Sequence, residues 1–210
     1  MGDTTNRRPL KSRDTGWAAA VLRLLLKTGL SADAVSILGV VISAAGAAAL
    51  VYAHAHPWLF LLGALCIQLR LLANMMDGLV AVEGGRGGPL GPLFNEAPDR
   101  IEDTLFLVAF GIAAGWPGLG WFAAVLAVCA AYVRLLGGTL GFPQDFSGPM
   151  AKPHRMAALT IGCVLAFAEA LISGGRWAAL IVVWAVILGT LATIARRLSR
   201  QARLLKERAR

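Results

Sequence analysis

Six apolar stretches, at about 34–53, 58–77, 101–115, 121–140, 156–172 and 177–195, constrain this chain more than any other feature. A helical crossing of a bilayer core takes about 20 apolar residues. No water is present there to satisfy open backbone groups, so such stretches fold as helices. The 210 residues are 57% hydrophobic and 15% charged, and the mean hydropathy is +0.66. Soluble domains average about 45–50% apolar and about 25% charged residues. That comparison excludes a water-soluble domain, and disorder as well. The expected fold is all-α: an integral membrane six-helix bundle with an N-terminal interfacial amphipathic helix. The expected division is a polar cytosolic segment at 1–16, the interfacial helix at 17–29, a transmembrane domain at 30–195 and a basic cytosolic tail at 196–210.

Local signals place the boundaries. Trp17 to Thr28 is apolar but carries Arg23 and Lys27. It is too short to span, and Gly29 fits a C-cap. It reads as a helix lying on the inner leaflet with its cations toward headgroups; the alternative is an extension of the first span. Ser31 fits an N-cap, with Asp33 in the first helical turn. His54, His56 and Pro57 make a turn, since two histidines alone do not make a metal site. The glycine-rich 83–89 segment is a flexible connection. No signal peptide is expected, because the polar start lacks an apolar segment and a cleavage site behind it. Cys66, Cys129 and Cys163 each lie in an apolar stretch and read as small core residues.

The net charge is +8 and the isoelectric point about 10.3. The cations sit at both ends and in the 77–103 and 141–155 connections, while the other three loops hold only Arg176. This alternation is the positive-inside pattern. It argues against nucleic acid as a partner and puts both termini in the cytosol of a bacterial-type inner or plasma membrane. The tail, with seven cations and one acid, suits anionic headgroups.

Charged groups inside a membrane cost at least roughly 2.5–3.5 kcal/mol each, so each needs a reason. The second stretch carries Gln68, Arg70, Asn74 and Asp77 in one half; the third is preceded by Asn95, Glu96, Asp99 and Arg100 and holds Glu102 and Asp103; Arg134 lies in the matching half of the fourth. These residues gather at one depth near the inner face. Glu169 stands apart, toward the outer side, and is expected to snorkel or pair there. On a helix Arg70, Asn74, Asp77 and Ala81 share a face, as do Gly91, Asn95, Asp99 and Asp103. Gly78, Ala81 and Gly91 lack bulk and let a backbone or ligand come close. The product is an oxygen-lined cavity suited to a hard cation such as Mg²⁺ or Mn²⁺. The plainer reading is solvated helix ends plus one intramembrane ion pair.

Asn74-Met-Met-Asp77-Gly78-Leu-Val-Ala81-Val82, followed by Gly91-Pro-Leu-Phe-Asn95-Glu-Ala-Pro-Asp99, resembles the signature of the CDP-alcohol phosphatidyltransferase family, D-x-x-D-G-x-x-A-R-x8-G-x3-D-x3-D. Asp77, Gly78, Ala81, Gly91 and Asp99 match by identity, without a gap. The stretch from Leu30 to Gly39 is weakly similar to the opening of the family's first span. The resemblance implies a six-helix membrane enzyme, often a homodimer, with a catalytic domain over 30–195. It would move a phosphatidyl or other phosphoalcohol group from a CDP-linked lipid donor to a hydroxyl acceptor, releasing CMP. By position, Asn74, Asp77, Asn95 and Asp99 would hold two divalent cations, Asp99 would also be the base, and Gly78, Ala81 and Gly91 would line the nucleotide pocket. The runner-up is a catalytically impaired homologue that binds lipid or nucleotide. A transporter is disfavoured, because the polar groups cluster on one side instead of tracing a path across.

The departures are Asn74 and Asn95 for aspartate and Val82 for arginine. An amide oxygen can ligate Mg²⁺ but compensates no charge. Asp103, an auxiliary acid by helical phase, would restore part of that charge, or pair with Arg70 or Arg134; alternatively it caps the helix start in headgroup water. Arg86 could reach the nucleotide or remain solvated. Lys152 and Arg155 would hold a substrate phosphate, and positive-inside anchoring explains them equally well.

Overall fold

The computed structural model describes residues 16–85 and 89–209, the side chains of Pro92 and Asn95 excepted; the polar 1–15 segment and Arg86 lie outside the described residues. Seven helices form among the described residues: α1 (Gly16–Thr28), α2 (Ala32–Tyr52), α3 (Trp58–Val82), α4 (Gly91–Ala113), α5 (Pro117–Thr139), α6 (Lys152–Ile172) and α7 (Trp177–Arg208). Gly29 ends α1 at φ +76°, a conformation glycine adopts freely. Ser31 starts α2 by accepting the Ala34 amide at 3.2 Å. α1 is therefore a separate helix and not an extension of α2.

Five helices, α2, α3, α5, α6 and α7, are long and apolar enough to cross a membrane. α4 falls outside that set because its first half carries Glu96, Asp99, Arg100, Glu102 and Asp103, leaving an apolar second half shorter than a bilayer core. Val125, Val128, Ile161, Leu165, Ile181 and Leu188 are exposed on the outer faces of α5, α6 and α7. Such an apolar exterior suits hydrocarbon rather than water. The chain is a multi-pass membrane protein.

Small residues set how closely the helices approach. Ser36, Gly39, Ser43 and Gly46 form a buried stripe on α2 at helical spacing. α2 lies against both α3 and α4, whose backbones come close to one another at few points. A Cβ on Gly46 would come within 2.5 Å of Cys66 on α3 and 2.8 Å of Phe106 on α4. At Gly111 a Cβ would stand 2.4 Å from the Gly120 Cα, so α4 and α5 touch backbone to backbone. Leu50, Ile67, Phe106, Phe110, Leu159 and Ile187 fill the core between these helices. Cys66 and Cys163 are buried core residues, whereas Cys129, expected there too, is exposed on α5.

Three boundaries differ from the sequence expectation. α4 begins at Gly91, so the acidic segment is helical from the start. α6 begins at Lys152, which puts Lys152 and Arg155 on its first turn instead of in a loop. The 196–208 segment continues α7. Three of its polar side chains reach α5 and the connection after it: Arg197 donates to the carbonyls of Ala130 at 2.7 Å and Ser147 at 3.0 Å, Gln201 to that of Val133 at 2.6 Å, and Arg208 to that of Leu140 at 2.8 Å. One turn earlier Thr193 accepts the Met150 amide at 2.9 Å. Glu169, with no partner assigned from sequence, caps α7 by accepting the amides of Trp177 and Ala178 at 3.0 and 2.7 Å.

Candidate active site

The polar face of α3 and that of α4 meet at one end of the bundle. Arg70 is fully buried, and three acids of α4 share it: Nε donates to Glu102 at 2.5 Å, and Nη2 to Asp103 at 3.1 Å and Asp99 at 3.2 Å. One helical turn on, Asn74 Nδ2 donates to Asp99 Oδ1 at 2.6 Å. From α6, Lys152 forms an ion pair with the same Asp99 oxygen, and Arg155 Nη2 donates to Asp103 at 2.7 Å. A buried guanidinium needs such company, because an unpaired charge there costs several kcal/mol.

Asp77 turns toward α2. Ser36 Oγ donates to its Oδ2 at 2.7 Å, while its Oδ1 is buried without a hydrogen-bond partner. Glu102 Oε1 is in the same condition, packed against α2 where a Cβ on Gly39 would come within 2.7 Å. At the rim, Arg134 Nη2 donates to both oxygens of Glu96 at 2.7 and 2.6 Å; Nη1 bonds Gln144, and the guanidinium lies over the Phe146 ring. Arg100 reaches Asp99 Oδ2 at 3.4 Å and Glu96 at 3.8 Å.

Of the expected site residues, Asn74, Asp77, Asp99, Asp103, Lys152 and Arg155 come together. Asn95 lies on α4 one turn before Asp99, and its side chain is outside the described set. Gly78 and Ala81 are half-buried near the end of α3, and space is open where a Cβ on Gly91 would stand. Asp103 is buried between Arg70 and Arg155; Arg134 has taken Glu96 instead, and headgroup water does not reach Asp103. Ser36 and Gly39 escaped sequence reasoning. The small-residue stripe that carries them was the available signal.

No family model matches the chain. It is 33% identical over 141 residues to the archaetidylinositol phosphate synthase of Aeropyrum pernix, covering 65% of this chain and 71% of that protein. It is 25% identical over 187 residues to the phosphatidylinositol phosphate synthase of Mycobacteroides abscessus, covering 83% and 78%. The fold matches the Mycobacterium tuberculosis phosphatidylinositol phosphate synthase, solved with CDP-DAG bound, at TM-score 0.69 and 24% identity over 87% of this chain and 92% of that one. The same mycobacterial protein has also been solved with manganese and citrate, again at TM-score 0.69. The fold thus has its counterparts among phospholipid-synthesising transferases. The chain belongs to the CDP-alcohol phosphatidyltransferase family, whose work is to move a phosphoalcohol group from a CDP-linked donor to a hydroxyl acceptor.

The residues present fit a divalent cation in a restricted way. Among the described residues, no three His, Cys, Asp or Glu side chains are grouped to hold a metal. Mg²⁺, however, commonly uses one or two carboxylates, keeps several waters and completes its shell with substrate phosphates. The buried and donor-free Oδ1 of Asp77 offers such a carboxylate.

Proposed function

We propose that this chain transfers the phosphatidyl group of a CDP-linked lipid, CDP-diacylglycerol being the model donor, to a hydroxyl of inositol phosphate within the α3–α4–α6 cluster. The observation that carries this reading is the 2.6 Å contact of Asn74 on α3 with Asp99 on α4, one turn from Asp77 with its unpartnered oxygen. Inositol phosphate is favoured by what the names of the curated relatives say of those proteins.

By position in the family signature Asn74, Asp77, Asn95 and Asp99 are the metal residues, and Asp77 has the open carboxylate oxygen for it. Mg²⁺ or Mn²⁺, when bound there, offsets charge on the diphosphate and on departing CMP. Asp99 Oδ1 is taken by three donors, whereas Oδ2 has one long contact at 3.4 Å from Arg100. Oδ2 is therefore the oxygen positioned to take the acceptor's proton. Gly78, Ala81 and Gly91 leave room for the nucleotide. Lys152, partly exposed, faces substrate phosphate; Arg155 works behind it, fixing Asp103 and the Met150 carbonyl at 3.1 Å. The runs of lysine and arginine put the site and both termini on the cytosolic side. There α1 lies on the leaflet and α4 makes a sixth crossing. Two chains pair as a homodimer. The lipid donor enters sideways from the bilayer, while the polar acceptor arrives from water.

The test uses purified chain with CDP-diacylglycerol, Mn²⁺ and separate acceptors: inositol phosphate, glycerol phosphate and serine. CMP release with inositol phosphate is expected. Release with serine alone would overturn the acceptor, and no release with any donor or acceptor would overturn the transfer.

A further inference from the structure

Asp99 already has its positive counterparts. Three donors crowd its Oδ1, two of them the cations Arg70 and Lys152, and Asn74 presents its amide nitrogen to it rather than its oxygen. A metal ion at that oxygen would have to displace all three. Asp77 is the opposite case, with no cation on either oxygen and Oδ1 buried without a donor. The charge count agrees with this asymmetry. Five carboxylates of the cluster (Asp77, Glu96, Asp99, Glu102 and Asp103) stand against five cations (Arg70, Arg100, Arg134, Lys152 and Arg155). The cluster is neutral before anything binds. One divalent ion then balances the two negative charges of a substrate diphosphate diester. A second would leave a surplus of positive charge in a site of low dielectric, where uncompensated charge is costly.

We propose that Lys152, as a fixed ammonium on Asp99, supplies positive charge that a second metal would otherwise bring, so that this chain takes a single divalent cation, on the Asp77 side. The inference rests on the transferase reading and deepens it. It makes Lys152 part of the electrostatic machinery around Asp99. It also gives the two asparagines a reason: with an ammonium in place, carboxylates at 74 and 95 would have no second ion to serve.

The test counts bound Mn²⁺ by electron paramagnetic resonance on the full chain in detergent, with CDP-diacylglycerol present and acceptor absent. One Mn²⁺ per chain is expected in the wild type, and one in K152R, which keeps the charge. The triple variant N74D/N95D/K152M is expected to bind two. A wild type that binds two, or none, overturns the inference, and that count needs no variant to fold. A triple variant that folds and still binds one overturns it as well. The transferase reading fails separately, if the wild type releases no CMP; a wild type that turns over with two Mn²⁺ defeats only the role given to Lys152.

Discussion

The two ends of α3 and α4 are built on different principles. At one end, shape dominates: Phe60, Phe106 and Phe110 are buried among alanines, and glycines at 46, 63, 111 and 120 let helices touch. At the other, charge dominates: one buried guanidinium holds three carboxylates, and two further cations from α6 complete the set. Packing by shape tolerates the loss of any one partner at a graded cost. A buried ionic network does not, since removing one member strands the others. The same helices thus carry a robust half, which fixes their distance, and a half that is stable only as a complete set and holds two oxygens, on Asp77 and Glu102, without donors.

Variants can break this contrast, and the largest effect belongs to the charged end. Asp99→Asn keeps the shape and loses the base; CMP release per folded molecule is expected to fall by about 10²–10⁴-fold, with some loss of stability as Arg70 and Lys152 give up a carboxylate. A variant with near-normal turnover would remove Asp99 from the chemistry. Next, Arg70→Met strands Glu102 and takes one partner each from Asp99 and Asp103. A loss of about 3–5 kcal/mol is expected, read as a lower thermal midpoint in detergent; an unchanged midpoint would show that the network contributes little. At the apolar end, Gly111→Val pushes α4 from α5 and is expected to cost about 1–3 kcal/mol by overpacking, while turnover per folded molecule stays near normal. A selective loss of turnover there would mean that the two ends are coupled. The smallest effect is expected of Glu169→Gln, which weakens the α7 cap by about 1 kcal/mol and leaves CMP release unchanged.

Much of this contrast could be read from the sequence. The apolar periods marked the helices, and Gly29 and Ser31 marked the break between α1 and α2. Helical phase placed Arg70, Asn74 and Asp77 on one face and Asp99 and Asp103 on another, and the contacts among them followed. Phase names a face, however, and not its partner. Asp77 bonds Ser36 because α2, not α4, is its nearest neighbour. Lys152 reaches Asp99 because α6 starts earlier than its apolar run does: Lys152, Pro153 and His154 are polar or helix-starting residues and carry no apolar signal. The tail read as basic charge suited to anionic headgroups. Its helix instead turns Arg197 and Gln201 inward onto backbone carbonyls, pairings set by the geometry of α5 and its following loop.

Whether Asp77 and Asp99 serve one reaction centre is read from CMP release from CDP-diacylglycerol, with Mn²⁺ and inositol phosphate, by the wild type and by Asp77→Ala in lipid nanodiscs. Steady release by the wild type and release at background by the variant are expected, with both chains equally folded. Equal release by the two, or release by neither, would contradict a shared centre.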